Sequence, residues 1–146
     1  MNSAIEKIIN SKKIAVVGVS QSKQKMGNGI FKGLKENGYT VYPVHPSADM
    51  VEGEKAYPNL KALPEPVESI VIATSPKNVD GVIDEAIAVG IKNIWFQQGP
   101  NFSAAVKKAQ DAGIETVSKK CILMYAPPVK SIHKVHRFFA KVFGRY

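Results

Sequence analysis

Apolar residues in this chain fall into short dense blocks, separated by polar stretches marked with glycine and proline. The blocks are of two kinds. Ile14-Ala15-Val16-Val17 and Ser69-Ile70-Val71-Ile72-Ala73 are nearly unbroken apolar runs, the pattern of strands covered on both faces, as in a parallel sheet. Ile30, Phe31 and Leu34, and later Val79, Val82, Ile83, Ala86 and Ile87, recur at the spacing of one helical face.

Taken in order, the pattern predicts a short amphipathic helix over Ala4 to Asn10 and a strand over Lys13 to Val17. A helix follows from about Asn28 to Glu36, stopped by Asn37-Gly38, and then a second strand from Tyr39 to Val44. The stretch from Asp49 to Pro66 reads as loop, punctuated by Gly53, Pro58, Pro64 and Pro66, with one helical turn near Leu60. The third strand, Ser69 to Ala73, leads to a helix over Asn78 to Val89 that Gly90 stops. The fourth strand, Asn93 to Phe96, leads to a helix over Ser103 to Ala112 that Gly113 stops, and Ile114 to Val117 is the fifth strand. Strand alternating with helix predicts an α/β fold built on a doubly wound, mainly parallel five-stranded sheet.

The last stretch differs. Val129, Ile132, Val135, His136, Phe139, Val142 and Phe143 share one helical face, with lysines and arginines mostly on the other. The chain thus divides into a domain over residues 1–126 and a basic amphipathic C-terminal helix over 127–146, packed on that domain. Of the net charge of +8, Lys130, Lys134, Arg137, Lys141 and Arg145 contribute five, with no acid after Pro128. The balance favours anionic ligands in general. A helix of this kind also suits a nucleic acid or an anionic membrane surface, although nucleic acid is not the expected partner.

At 146 residues, with 45% hydrophobic and 22% charged, the composition is that of one globular domain with a sizeable core. No run of about 18 apolar residues occurs, so no membrane span is expected. The N-terminus lacks the apolar core of a secretory signal. A single cysteine, Cys121, excludes an internal disulfide and points to the cytoplasm. His45, His133 and His136 are too scattered for a metal site.

In an open parallel sheet, ligands collect at the carboxyl ends of the strands, where the strand order reverses. Small or polar residues stand at four such ends: Gly18-Val19-Ser20, Val44-His45-Pro46, Ala73-Thr74-Ser75-Pro76 and Gln97-Gln98-Gly99-Pro100-Asn101. Gly27-Asn28-Gly29 invites comparison with the dinucleotide fingerprint GxGxxG, but Gly33 comes one residue late and the pair lies well past the strand end. Nor does the second strand end in the acid that would hold a ribose hydroxyl. The triphosphate-binding pattern GxxxxGK[ST] is missing as well. What the first loop offers is Ser20, Ser22, Lys23, Lys25 and backbone amides before a helix N-terminus, which suit a pyrophosphate or phosphomonoester.

The segments IAVVGVS, YTVYPVHP, GEKAYPNL, IATSP, EAIAVGIKNIWFQQG and AGIETVSKKCILM occur in this order between about Lys13 and Met124. Together they resemble the small stand-alone CoA-binding domain family, whose Rossmann-like fold is similar to the N-terminal domain of the succinyl-CoA synthetase α subunit. The resemblance implies coenzyme A, or an acyl-CoA, bound along the strand ends. Gly18 and Ser20, with the loop through Lys25 and Gly27, would hold the phosphates, and Val44 and Pro46 would line the adenosine side. Ala73, Thr74, Ser75, Pro76 and Val79 would pack on the nucleotide, and Gln98 and Gly99 would meet the pantetheine. Two departures stand out. His45-Pro46 replaces the Asn-Pro of many relatives, and Lys25 stands where arginine is frequent, which keeps charge but loses bidentate geometry. The synthetase's second domain, with its phosphorylated histidine, has no counterpart here.

The expected function is binding of CoA or an acyl-CoA as a carrier, sensor or accessory subunit, without catalysis by this chain alone. The alternatives are an NAD(P)-binding redox sensor of the same fold and a subunit of a CoA-linked ligase or transferase. A protein partner and a homodimer both remain open. Cys121 reads as a small packing residue after a strand, or as a thiol facing the pantetheine in a reversible mixed disulfide.

Overall fold

The computed structural model describes residues 3–19, 26–74, 76–97 and 101–124. Helix α1 (Ser3–Ile9) precedes strand β1 (Lys13–Val17), helix α2 (Met26–Glu36) and strand β2 (Thr40–Val44). Two short strands follow, β3 (Met50–Val51) and β4 (Glu54–Lys55). Then come β5 (Ser69–Ile72), α3 (Asp80–Val89), β6 (Asn93–Gln97), α4 (Ser103–Asp111) and β7 (Glu115–Lys120). The main sheet is five-stranded and parallel throughout, in the order β2-β1-β5-β6-β7. The α/β, Rossmann-like fold expected from the alternation of elements is therefore present. The proposed basic helix over 127–146 lies outside the described residues.

Strand alternation divides the core in two. Ile14 and Val16 of β1, with Val71, Trp95 and Val117, pack against Ile5 and Ile8 of α1 and Ile30, Phe31 and Leu34 of α2. Ala15 and Val17, with Ile70, Ile72, Ile94 and Phe96, face Ile83 and Ala86 of α3 and Ala105 and Ala109 of α4. Successive side chains of one strand thus enter opposite layers, which explains why the strands read as continuous apolar runs rather than alternating ones. Gly90 ends α3 at φ 85°, its N–H donating to the carbonyls of Ala86 and Ile87, a left-handed stop that favours glycine.

Two expectations need correction. The stretch read as loop contains an antiparallel hairpin, with Met50 opposite Lys55 and Val51 opposite Glu54. Two residues per strand are too few to show a period-two pattern. The expected helical turn near Leu60 is there as a 3-10 turn, Leu60–Ala62, capped by the Asn59 side chain accepting from the Ala62 N–H at 2.9 Å. Strand β7 also runs to Lys120 rather than ending at Val117. A register shift between Trp95 and Gln97 prolongs the pairing past the last apolar residue, and Lys119 takes up the irregularity at φ 64°.

Candidate functional site

The strand order reverses between β1 and β5. β1 leads through α2 to β2 on one side, while β5 leads through α3 to β6 on the other. A crevice must open outside the carboxyl ends of these two strands. The backbone there is held tightly, since Val17 pairs with Val44 and with Ile72 and the Ala73 N–H donates to the Val17 carbonyl at 2.8 Å.

Gly18 turns the chain out of the sheet at φ 117°. A Cβ on it would lie 2.7 Å from the Ala73 carbonyl carbon and 2.9 Å from the Thr74 nitrogen. Both backbone angle and space therefore require glycine. Gly27 follows the same logic by another route. It lies within the first turn of α2 rather than in the loop before it, and a Cβ there would come 2.3 Å from the Gly18 carbonyl oxygen. Close packing of a helix start on a strand end is one of the tasks a dinucleotide fingerprint gives to glycine. Here that task is done across a longer loop, which is why the letter spacing failed to show it.

The structure thus brings Gly18, Gly27, Ala73 and Thr74 into one cluster at the switch point. Val44, one strand over, is buried and belongs to the layer under α3, as does Val79 at the start of that helix. Pro46 and Pro76 are exposed, and Ala73 and Thr74 are half-buried. Ser20, Lys25, Ser75, Gln98 and Gly99 lie outside the described residues. α2 begins beside the switch point, and the first N–H groups of a helix, which have no partner within it, suit a phosphate. Glycine-tight backbone, apolar Val44 and the half-buried Thr74 fit a nucleotide that carries phosphates. Among the described residues no group of His, Cys, Asp and Glu could hold a metal ion. Cys121, just after β7, is half-buried and packs against the core layer that holds α1 and α2.

Sequence reasoning missed what His45 does. Its ring Nδ1 accepts from the N–H groups of Ser47 at 3.1 Å and Ala48 at 2.9 Å. These are the bonds an asparagine side chain makes when it closes a turn on its own backbone. The ring proton of neutral His45 is therefore on Nε2. His45 thus supplies, with a ring nitrogen, the acceptor that an asparagine oxygen can supply in such a turn.

A cleft of about 720 Å³ lies at the opposite, amino edge of the sheet, lined among others by Lys7, Glu68, Lys92, Asn93 and Glu115. Its charges already neutralise one another, Lys7 with Glu115 and Lys92 with Glu68.

Known proteins resemble this chain over most of its length. The family described as CoA binding domain matches residues 12–127. The ADP-forming acetate–CoA ligase I subunit alpha of Pyrococcus furiosus is 33% identical over 134 residues, covering 86% of this chain and 29% of that subunit. A hypothetical protein from Pyrococcus horikoshii superposes with a TM-score of 0.77 at 35% identity, over 84% of this chain and 87% of that one. The dinucleotide-forming acetyl-coenzyme A synthetase 1 of Candidatus Korarchaeum cryptofilum, solved with phosphate and ADP, superposes with a TM-score of 0.68 at 31% identity. The similarity covers 77% of this chain and 26% of the synthetase, so the chain corresponds to one part of these larger enzymes. With the family matched over most of its length and the sheet built as that fold requires, this chain belongs to the CoA-binding domain family.

Proposed function

We propose that this chain binds coenzyme A or an acyl-CoA along the carboxyl edge of its sheet, as a carrier, sensor or accessory subunit, and performs no chemistry on it alone. The observation that carries the reading is the glycine-tight contact of α2 with the β1 end, where Gly27 packs on the Gly18 carbonyl. It sets a helix N-terminus beside the switch point, where an anionic ligand is favoured. In this reading Gly18, Ser20, Lys25 and Gly27 hold the phosphates, while Val44 and Pro46 line the adenosine. Ala73, Thr74, Ser75, Pro76 and Val79 support the nucleotide, and Gln98 and Gly99 meet the pantetheine.

Calorimetry and thermal unfolding with CoA, acetyl-CoA, NAD and NADP test it. CoA or acetyl-CoA at a hundred times its dissociation constant raises the unfolding free energy by about 2.7 kcal/mol. Stabilisation by NAD or NADP with none by CoA overturns the reading.

A second reading is favoured by the similarity to a ligase subunit: the chain serves as the CoA-binding component of an enzyme whose catalytic parts are on another chain. It predicts a co-purifying partner and CoA-ligase activity only in the mixture. A chain that binds CoA but purifies alone, and gives no activity with any co-expressed chain, fits the carrier or sensor role instead.

A further inference from the structure

The β3–β4 hairpin holds a buried carboxylate that the site described above does not use. Glu52, at the hairpin turn, has φ 49°, a conformation uncommon outside glycine. Its side chain is 7% exposed. Oε2 accepts from Asn28 Nδ2 at 2.7 Å, and Asn28 is itself 1% exposed in the first turn of α2. The other carboxylate oxygen faces Lys32 Nζ at 3.7 Å, and Glu54 pairs with Lys35. Asn28, Lys32 and Lys35 lie on one face of α2.

The far side of the same segment is fastened to the end of β2. The His45 N–H donates to the Tyr57 carbonyl at 2.9 Å, the Tyr57 N–H donates to the Pro43 carbonyl at 3.0 Å, and Val44 bridges Tyr57. The hairpin is therefore a strap from the carboxyl end of β2 to the first turn of α2. Val51 and Ala56, both buried in the core, already seat it by apolar contact. Removing a carboxylate from water to meet an amide adds little to what those contacts give, but it is directional, and fixes geometry more than it adds stability.

We infer that Asn28 and Glu52 are positioning residues for the ligand. Their bond sets the first turn of α2, and with it Gly27 against Gly18, at a fixed distance from the β2 end. The helix start read as phosphate-facing and the strand end read as adenosine-facing are thereby held at one separation, so the protein and not the flexible ligand sets the distance between the two subsites. This inference rests on the CoA reading above.

The test is the affinity for CoA, measured by calorimetry, in Asn28→Ala, Glu52→Ala and Glu52→Gln, with amide hydrogen exchange on the ligand-free proteins. The two alanine variants are expected to raise the dissociation constant about tenfold or more. Glu52→Gln, which keeps an acceptor oxygen for Asn28 and loses only the screened attraction to the exposed Lys32, is expected to stay within about twofold. In Asn28→Ala, exchange quickens in residues 27–30 and 50–55 while β5 and β6 stay protected. Alanine variants that melt earlier but bind CoA as the parent does overturn the inference, as does a Glu52→Gln that binds as poorly as Glu52→Ala. If the parent chain fails to bind CoA, the reading of its function falls, and exchange alone decides the positioning role. Parent-like protection of residues 27–30 in Asn28→Ala then overturns it, and local loss of protection there sustains it.

Discussion

The two edges of the sheet are built on different principles. At the amino edge each helix returns to its strand through a short turn: residues 37–39 after α2, 90–92 after α3 and 112–114 after α4. Ion pairs bridge the gaps, Lys7 with Glu115, Lys13 with Glu65 and Lys92 with Glu68. At the carboxyl edge the connections are longer, residues 18–25, 73–79 and 98–102. At the switch point itself the contacts are through backbone, Gly18 against Ala73 and Gly27 against Gly18. The amino edge closes on itself, its charged groups spent on one another, so even its 720 Å³ cleft offers a ligand little that is unmatched. The carboxyl edge ends in strand termini and the first turn of α2, whose leading backbone N–H groups have no partner within the helix. The two edges differ in how their polar groups are placed: paired side chains at one, a helix start and strand ends at the other.

Glycine substitutions break this comparison most sharply. Gly90 at the amino edge and Gly18 at the carboxyl edge both have positive φ, but a Cβ on Gly90 meets nothing within 4 Å while one on Gly18 strikes the Ala73 backbone. Gly90→Ala is expected to cost about 1–2 kcal/mol, the strain of the left-handed conformation alone, and to leave CoA affinity unchanged. Gly18→Ala adds overpacking against backbone that cannot retreat, for a total of about 3 kcal/mol or more, and weakens CoA binding. Urea midpoints measured with calorimetric affinities compare the two; equal costs would show that the switch-point packing is looser than described.

A smaller effect sharpens the view of the β2 end. His45→Asn replaces the ring Nδ1 with an amide oxygen able to take the same two N–H groups. It should change stability by less than about 0.5 kcal/mol and leave CoA affinity intact. His45→Ala leaves the Ser47 and Ala48 N–H groups without that acceptor and is expected to cost about 1 kcal/mol. An asparagine variant as unstable as the alanine one would mean that the ring acts by packing and not as an acceptor.

The sheet itself was legible because its information is local. Each strand carries an apolar run, each helix a 3.6-residue period, and Asn37-Gly38, Gly90 and Gly113 mark the stops. The site was legible only in part. Gly18 and the Ala73-Thr74 turn sit where any parallel sheet would put a ligand, so their positions followed from topology. The task of Gly27 did not, because it depends on a contact with Gly18 across nine positions of chain that no spacing rule encodes. The hairpin from Met50 to Lys55 escaped for a related reason: it is seated by burial of Val51 and Ala56 and oriented by Glu52 reaching Asn28, tertiary contacts and not any strand propensity of its own. His45 was read as a departure because residue type was compared, when what closes this turn is an acceptor atom placed beside the next two N–H groups.

The amino edge makes a separate prediction, in alkali. The Tyr39 hydroxyl donates to the Ile9 carbonyl at 2.5 Å and burial pushes its pKa up to about 12. Tyr42 is also raised to about 12, first by donating to the Glu65 carboxylate, whose own pKa is lowered by the Lys13 and Tyr42 bonds. A tyrosine ordinarily ionises near pH 10. Because the folded values are the higher ones, the unfolded chain loses these protons first as pH rises. The stability tied to the protonated forms is full below about pH 10 and is lost as pH climbs toward 12. Tyr39→Phe and Tyr42→Phe should each flatten the alkaline fall in melting temperature. Tyr39→Phe is expected to have the larger effect, since Tyr42 is more exposed and its bond to Glu65 is screened by solvent. Neither change should alter CoA affinity at neutral pH, as both rings anchor to α1 or to the Lys13–Glu65 pair and not to the switch point. Should Tyr39→Phe weaken CoA binding as much as it flattens the alkaline limb, the two edges would be coupled through β2, and the separation argued between them would fail.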